Sequence, residues 1–258
     1  MAGGEFIMYI HPTCATSYSI IKYLYEKDLV GRLRIVNTSN TLHIPEFKIW
    51  SVPWIMYRGK PIATDPVDGK EVEVLINGGN IEVKDPIEAF MNTILHSVLA
   101  SAVSVLHASI EPVVDVDLIN AATRGTLQGD DLVGIIEKIR LASDKLYSEW
   151  RDKLVRALAV SFVRDAWWGS EGKLDSEQLQ SMASGNYISA WLIAKAGIGR
   201  VALPDNPLRY DKEAVKIMSK FISSNARGLI RKIEREQEMI LSDHEYWEVI
   251  KRASKSIQ

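Results

Sequence analysis

Cys14 is the only cysteine in a chain of 258 residues, and it stands in the run His11-Pro12-Thr13-Cys14-Ala15-Thr16-Ser17. A lone thiol has three uses: attack as a thiolate, ligate a metal, or fill a core as a small hydrophobe. It cannot close an internal disulfide, so a secreted disulfide scaffold is excluded and a reducing compartment, the cytoplasm, is expected. Phe6-Ile7-Met8-Tyr9-Ile10 upstream is a continuous apolar run that suits a buried strand, and His11-Pro12-Thr13 is its turn. From Ser17 to Lys27, Tyr18, Ile21, Leu24 and Tyr25 recur at helical spacing, with Gly31 beyond as a stop signal. The order strand, turn, cysteine, helix places Cys14 at a helix N-terminus, where unpaired N–H groups and the positive end of the dipole favour a thiolate. His11 reads as a strand-end structural histidine beside it. His11, Cys14 and His43 follow no zinc spacing, so no metal is expected.

The elements needed to hold such a site follow in order. Leu33 to Asn37 reads as a second strand and Val52 to Tyr57 as a third. Arg58-Gly59-Lys60 is a tight turn into a fourth, Pro61 to Thr64, which makes the last two an antiparallel hairpin. Asp68 with Glu71 forms a capping box for a short helix ending at Gly78-Gly79, although Glu71 to Val74 also alternates like a strand. Beyond Asp85, with Pro86 at the first helical position and Glu88 completing a box, the pattern is helical almost throughout. Helices are expected over 86–109, 131–168, 176–196 and 212–241, with a last one over 243–254. Their apolar stripes are those of a bundle.

Residues 6 to 80 resemble a thioredoxin-like domain of the short, glutaredoxin-like type. The resemblance rests on Cys14-Ala15-Thr16-Ser17, where the family has Cys-x-x-Cys, and on Ser51-Val52-Pro53-Trp54-Ile55, where it has Val-Pro before the third strand. It implies a cis Pro53 beside Cys14, with Val52 and Pro53 as the backbone platform for a thiol substrate and Thr13 at its edge. Ser17 replaces the second cysteine, so an external thiol would have to resolve any mixed disulfide, and Ser17 would help hold Cys14 ionised. A thioredoxin-like domain followed by helices is also similar to the layout of glutathione S-transferases. The acidic-Ser pair with which that family holds the γ-glutamyl end of glutathione is matched only by Thr64-Asp65.

The fold class expected is therefore an α/β thioredoxin-like domain with a four-stranded mixed sheet over residues 1–82, then an all-α domain over 83–258. The resemblance implies no bound cofactor, a low-molecular-weight thiol such as glutathione as the small ligand, a thiol or disulfide substrate, and a homodimer. Basic and acidic residues number 31 and 33, for a formal net charge of -2, so no global charge argument for nucleic acid or anionic membrane exists. The most apolar stretch, Ala89 to Ser109, carries Asn92, His96 and His107 and reads as buried core rather than a membrane span. Two functions remain open. One is monothiol exchange with Cys14 as nucleophile; the other is a non-catalytic binding or assembly protein in which Cys14 is inert.

Overall fold

In the computed structural model, residues 6–39, 49–199, 203–204 and 209–255 are described; His43 lies outside them. The strands are β1 (Phe6–Ile10), β2 (Arg34–Asn37), β3 (Trp54–Tyr57) and β4 (Lys60–Thr64), in sheet order β2-β1-β3-β4. β1 and β2 are parallel; β1 and β3, and β3 and β4, are antiparallel. α1 (Ala15–Glu26) connects β1 to the parallel strand, and α2 (Gly69–Ile76) follows the β3–β4 hairpin. This is the mixed four-stranded sheet with flanking helices that the sequence implies, followed by a largely helical remainder.

Those helices are α3 (Pro86–His96), α4 (Val98–His107), α5 (Val116–Ala122), α6 (Gly129–Leu141), α7 (Ser143–Gly169), α8 (Ser176–Met182), α9 (Gly185–Ile198), α10 (Lys212–Ser242) and α11 (His244–Lys255). Three of the expected long helices are broken. Ser97 is extended, at φ -95° and ψ 110°, and its hydroxyl accepts from the Ala100 amide, so it ends α3 and caps α4. Ala142 leaves helical geometry between α6 and α7, and extended Ser184 separates α8 from α9 without a side-chain cap. α5 was not expected, although Asp115 caps it by accepting from the Asp117 and Leu118 amides. No single helix among the described residues is long and apolar enough to cross a membrane.

The chain forms two compact units, neither continuous in sequence: Met1–Thr93 with Asp115–Ile135 and Glu238–Gln258, and Ile94–Val114 with Ile136–Gln237. In the second unit α4 packs against α7 and α9, burying Val103, Leu106, Leu158, Phe162, Ile188 and Leu192. Trp191 meets Phe162 edge-on at 5.6 Å and donates to Asp165 at 2.8 Å, so this tryptophan serves bundle packing.

In the first unit the sheet, α1 and α2 bury Met8, Ile10, Ile20, Leu24, Ile55 and Val72. α11 joins that core, packing on β2 and α1 through Tyr246, Val249 and Ile250. α2 carries the expected capping box, with Asp68 and Glu71 each reaching the other's backbone. Its first residue, Gly69, lies against α1: a Cβ there would stand 2.6 Å from Tyr23 Cβ. Gly69→Ala is therefore expected to destabilise the protein by about 1–3 kcal/mol through overpacking, read as a lowered urea midpoint. An unchanged midpoint would mean that α1 and α2 separate freely.

Candidate functional site

Cys14 is the N-cap residue of α1, extended at φ -76° and ψ 123°, with its amide donating to His11 and its carbonyl accepting from Tyr18. The helix thus begins one residue after the thiol, two residues earlier than the apolar spacing alone indicates. The Val52–Pro53 peptide is cis. The Cys14 thiol is partly buried and donates to the Val52 carbonyl, with Sγ 3.4 Å from the oxygen. Pro53 is held in turn by the buried Thr64 hydroxyl, which donates to its carbonyl at 2.8 Å. Cys14, Ser17, Val52 and Pro53 are therefore brought together, although Val52 spends its carbonyl on the protein's own thiol. Thr13 turns to His11, its hydroxyl 3.0 Å from Nδ1.

Two opposing effects act on the sulfur. Burial pushes the Cys14 thiol above its ordinary pKa, and the negative charge of Asp65 adds to the rise; the Ser17 amide and hydroxyl and the Thr16 amide act the other way without overcoming it. The resting site therefore favours the thiol, whereas a helix N-terminus alone argues for the thiolate. Ser17 Oγ is fully buried and lacks a conventional hydrogen-bond partner, so a donor stands ready beside the sulfur.

α11 braces the loop before the cysteine. Tyr246, 1% exposed, donates its hydroxyl to the Pro12 carbonyl at 2.7 Å and meets Tyr18 edge-on at 4.9 Å. Burial, then the Cys14 charge, raises the pKa of that hydroxyl, keeping it protonated and a donor. Asp243 caps α11 through the Tyr246 amide, accepts from the Tyr18 hydroxyl at 2.8 Å, and pairs with Lys22 at 3.1 Å.

On the other side of Thr16 lies a cleft of about 580 Å³ whose wall includes Thr16, Asp65, Asp68, Glu71, Thr93 and Arg124. Thr16 donates to Asp65 at 3.1 Å. Arg124, in the left-handed turn after α5, reaches the carbonyls of Ala121, Ala122 and Pro66 and the Glu71 carboxylate. Of the pair Thr64-Asp65, only Asp65 faces this cleft; the Thr64 hydroxyl is consumed by Pro53. Among the described residues no three His, Cys, Asp or Glu side chains are grouped as metal ligands.

Comparison of the chain with family models, with curated proteins and with solved structures finds no match.

Tyr246, Asp243, Arg124 and Thr93 are site neighbours that sequence reading missed. Asp243 had a usable signal as the cap of an expected helix. The others had none, because what places them there is distant in the chain: Pro12 for Tyr246, Pro66 and Glu71 for Arg124, and the cleft wall around Asp65 for Thr93.

Proposed function

We propose that the first unit carries a monothiol exchange site with Cys14 as the nucleophile. The observation that supports this best is the place of Cys14 at the N-terminus of α1 beside a cis Val52–Pro53 peptide, with Sγ 3.4 Å from the Val52 carbonyl oxygen. The Cys14 sulfur attacks one sulfur of a small disulfide; the S–S bond breaks, a mixed disulfide forms on Cys14, and the released thiolate takes up the proton that Cys14 gave up. With Ser17 in place of a second cysteine, an external thiol completes the cycle by attacking the mixed disulfide and leaving Cys14 reduced.

Because the thiolate is the attacker and the resting pKa is raised, the rate is expected to climb with pH until it passes that raised value, with only a small reactive fraction at neutral pH. Intact-mass measurement of adduct formation with hydroxyethyl disulfide tests the reading. One adduct per chain is expected, absent in Cys14→Ser and released by excess thiol. Ser17→Ala is expected to slow the reaction at pH 7, by about tenfold if one pKa unit of thiolate stabilisation is lost. A folded chain that forms no adduct, while the unfolded chain does, overturns the proposal.

The raised thiol pKa and the closed Cys14–Val52 contact favour a second reading, a non-catalytic binding protein that keeps the scaffold. It is the outcome in which Cys14→Ser preserves function.

A further inference from the structure

α10 runs for 31 residues, and within the second unit its outer face carries charge of one sign. From Ala214 to Arg235 the exposed charged residues are Lys216, Lys220, Arg227, Arg231, Lys232 and Arg235; the other exposed positions, Ser224, Asn225 and Gly228, are small and polar, and none is acidic or apolar. Lys216, Lys220, Arg227 and Arg231 fall within roughly 60° of arc, and the row from Lys216 to Arg235 rises about 28 Å along the helix axis. Among the described residues only Lys216 of the six pairs with a carboxylate, that of Glu213 at 3.3 Å. Glu234 is half-buried, and Glu236 is taken by Arg164 of α7 at 2.8 Å. α7 adds a cation to this surface, Arg156, which lies 5.9 Å from the centre of the Phe221 ring. Beside the middle of the row, α8 and α10 enclose a polar cleft of about 510 Å³ walled by Ser224, Asn225, Arg227 and one carboxylate, Glu177. The whole chain has a formal net charge of -2, so these cations are segregated on one face rather than in overall excess.

We propose that this face of α10 binds the phosphate backbone of double-stranded DNA without reading its sequence. A duplex is a stiff polyanion with one charge per about 1.7 Å of axis, so a rigid row of cations meets phosphates along its length and orders nothing in doing so. The Ser224 hydroxyl and the Asn225 amide are of the kinds that hydrogen-bond phosphate and sugar oxygens. An unpaired strand fits less well, because α10 exposes no aromatic side chain over this span on which bases could stack. An anionic membrane also fits less well. Val215, Met218, Ile222, Leu229 and Ile233 are buried in the protein, which leaves no apolar side of the helix to enter lipid. The proposal is independent of the chemistry assigned to Cys14, and neither stands or falls with the other.

The test is fluorescence anisotropy of a labelled duplex of about 20 base pairs, titrated with the full chain between about 50 and 200 mM KCl. A dissociation constant of about 1–100 μM at physiological salt is expected, with a log–log salt slope of about -4 to -5 from the neutralisation of about five phosphates. Arg227→Gln combined with Arg231→Gln should weaken binding by about tenfold or more at 100 mM and flatten the slope by about 2. Lys60→Gln combined with Lys251→Gln makes the same change in net charge at exposed positions of the first unit and should leave affinity and slope nearly unchanged. Glu177→Gln removes the carboxylate from the cleft wall and should tighten binding severalfold. Equal losses in the two double variants, no measurable binding at 50 mM, or a slope near zero overturns the proposal. Duplex RNA, single-stranded DNA and vesicles containing phosphatidylserine are titrated in parallel, and tighter binding to any of them than to duplex DNA overturns the assignment to DNA.

Discussion

Tyr246→Ala is expected to lower the stability of the protein by about 3–5 kcal/mol, the range for removing a buried aromatic side chain. The ring is 1% exposed in the same core as Met8, Ile10, Ile35 and Val249 and meets Tyr18 edge-on. Tyr246→Phe separates the two roles of the residue. It keeps the packing and removes only the bond to the Pro12 carbonyl, so its cost should be about 1 kcal/mol. The loop that carries Cys14 loses its tether in that variant, so alkylation of Cys14 should quicken although the fold persists. Urea midpoints and alkylation rates measured on the same samples decide. A Phe variant as unstable as the Ala variant would place the energy in the hydrogen bond, and one with unchanged alkylation would show that the loop is held by other contacts.

Arg124→Met is the second large effect, at about 2–3 kcal/mol. The guanidinium is nearly buried, and four acceptors converge on it: the Glu71 carboxylate and the carbonyls of Ala121, Ala122 and Pro66. Removing it strands carbonyls at the end of α5 and in the loop before α2, each left without its charged donor. Glu71 is about one-third exposed, so its lost partner is partly replaced by water and the cost stays below that of a fully buried broken pair. Glu71→Gln should therefore cost less than Arg124→Met, because the carbonyl bonds survive. Equilibrium unfolding of the two variants ranks the contributions, and the reverse order would assign the stability to the ion pair.

The residues that the structure brings together around Cys14 were legible because their signals are local. Cys14 and Ser17 lie in one helical turn, and Val52-Pro53 is a contiguous pair before a strand. The strands were legible for the same reason, each a short run bounded by Gly, Pro or polar turn residues. Helix breaks were not, because nothing in composition marks them: Ser97 lies between two apolar runs, and Ala142 is an excellent helix former placed where the chain turns. The state of the thiol was illegible as well. Helix polarity and burial pull in opposite directions, and burial depends on tertiary packing around the thiol, including the Val52 carbonyl 38 positions away. The acidic cleft shows the same limit, since Asp65 was visible as a lone residue while Thr93 and Arg124 reach it only through tertiary packing.

The Pro12–Tyr246 bond spans 234 positions and belongs to the core that also holds β1 and α1. A nascent chain can pair β1 with β2 early, but it cannot complete this core until α11 has left the ribosome. Nearly all of the intervening polypeptide must be synthesised first, and a long loop must close before its contacts repay the entropy. Throughout that interval the loop bearing the sole thiol lacks the tyrosine that braces it. The loop that bears the thiol is therefore more open to oxidants and stray disulfides before α11 docks than after it.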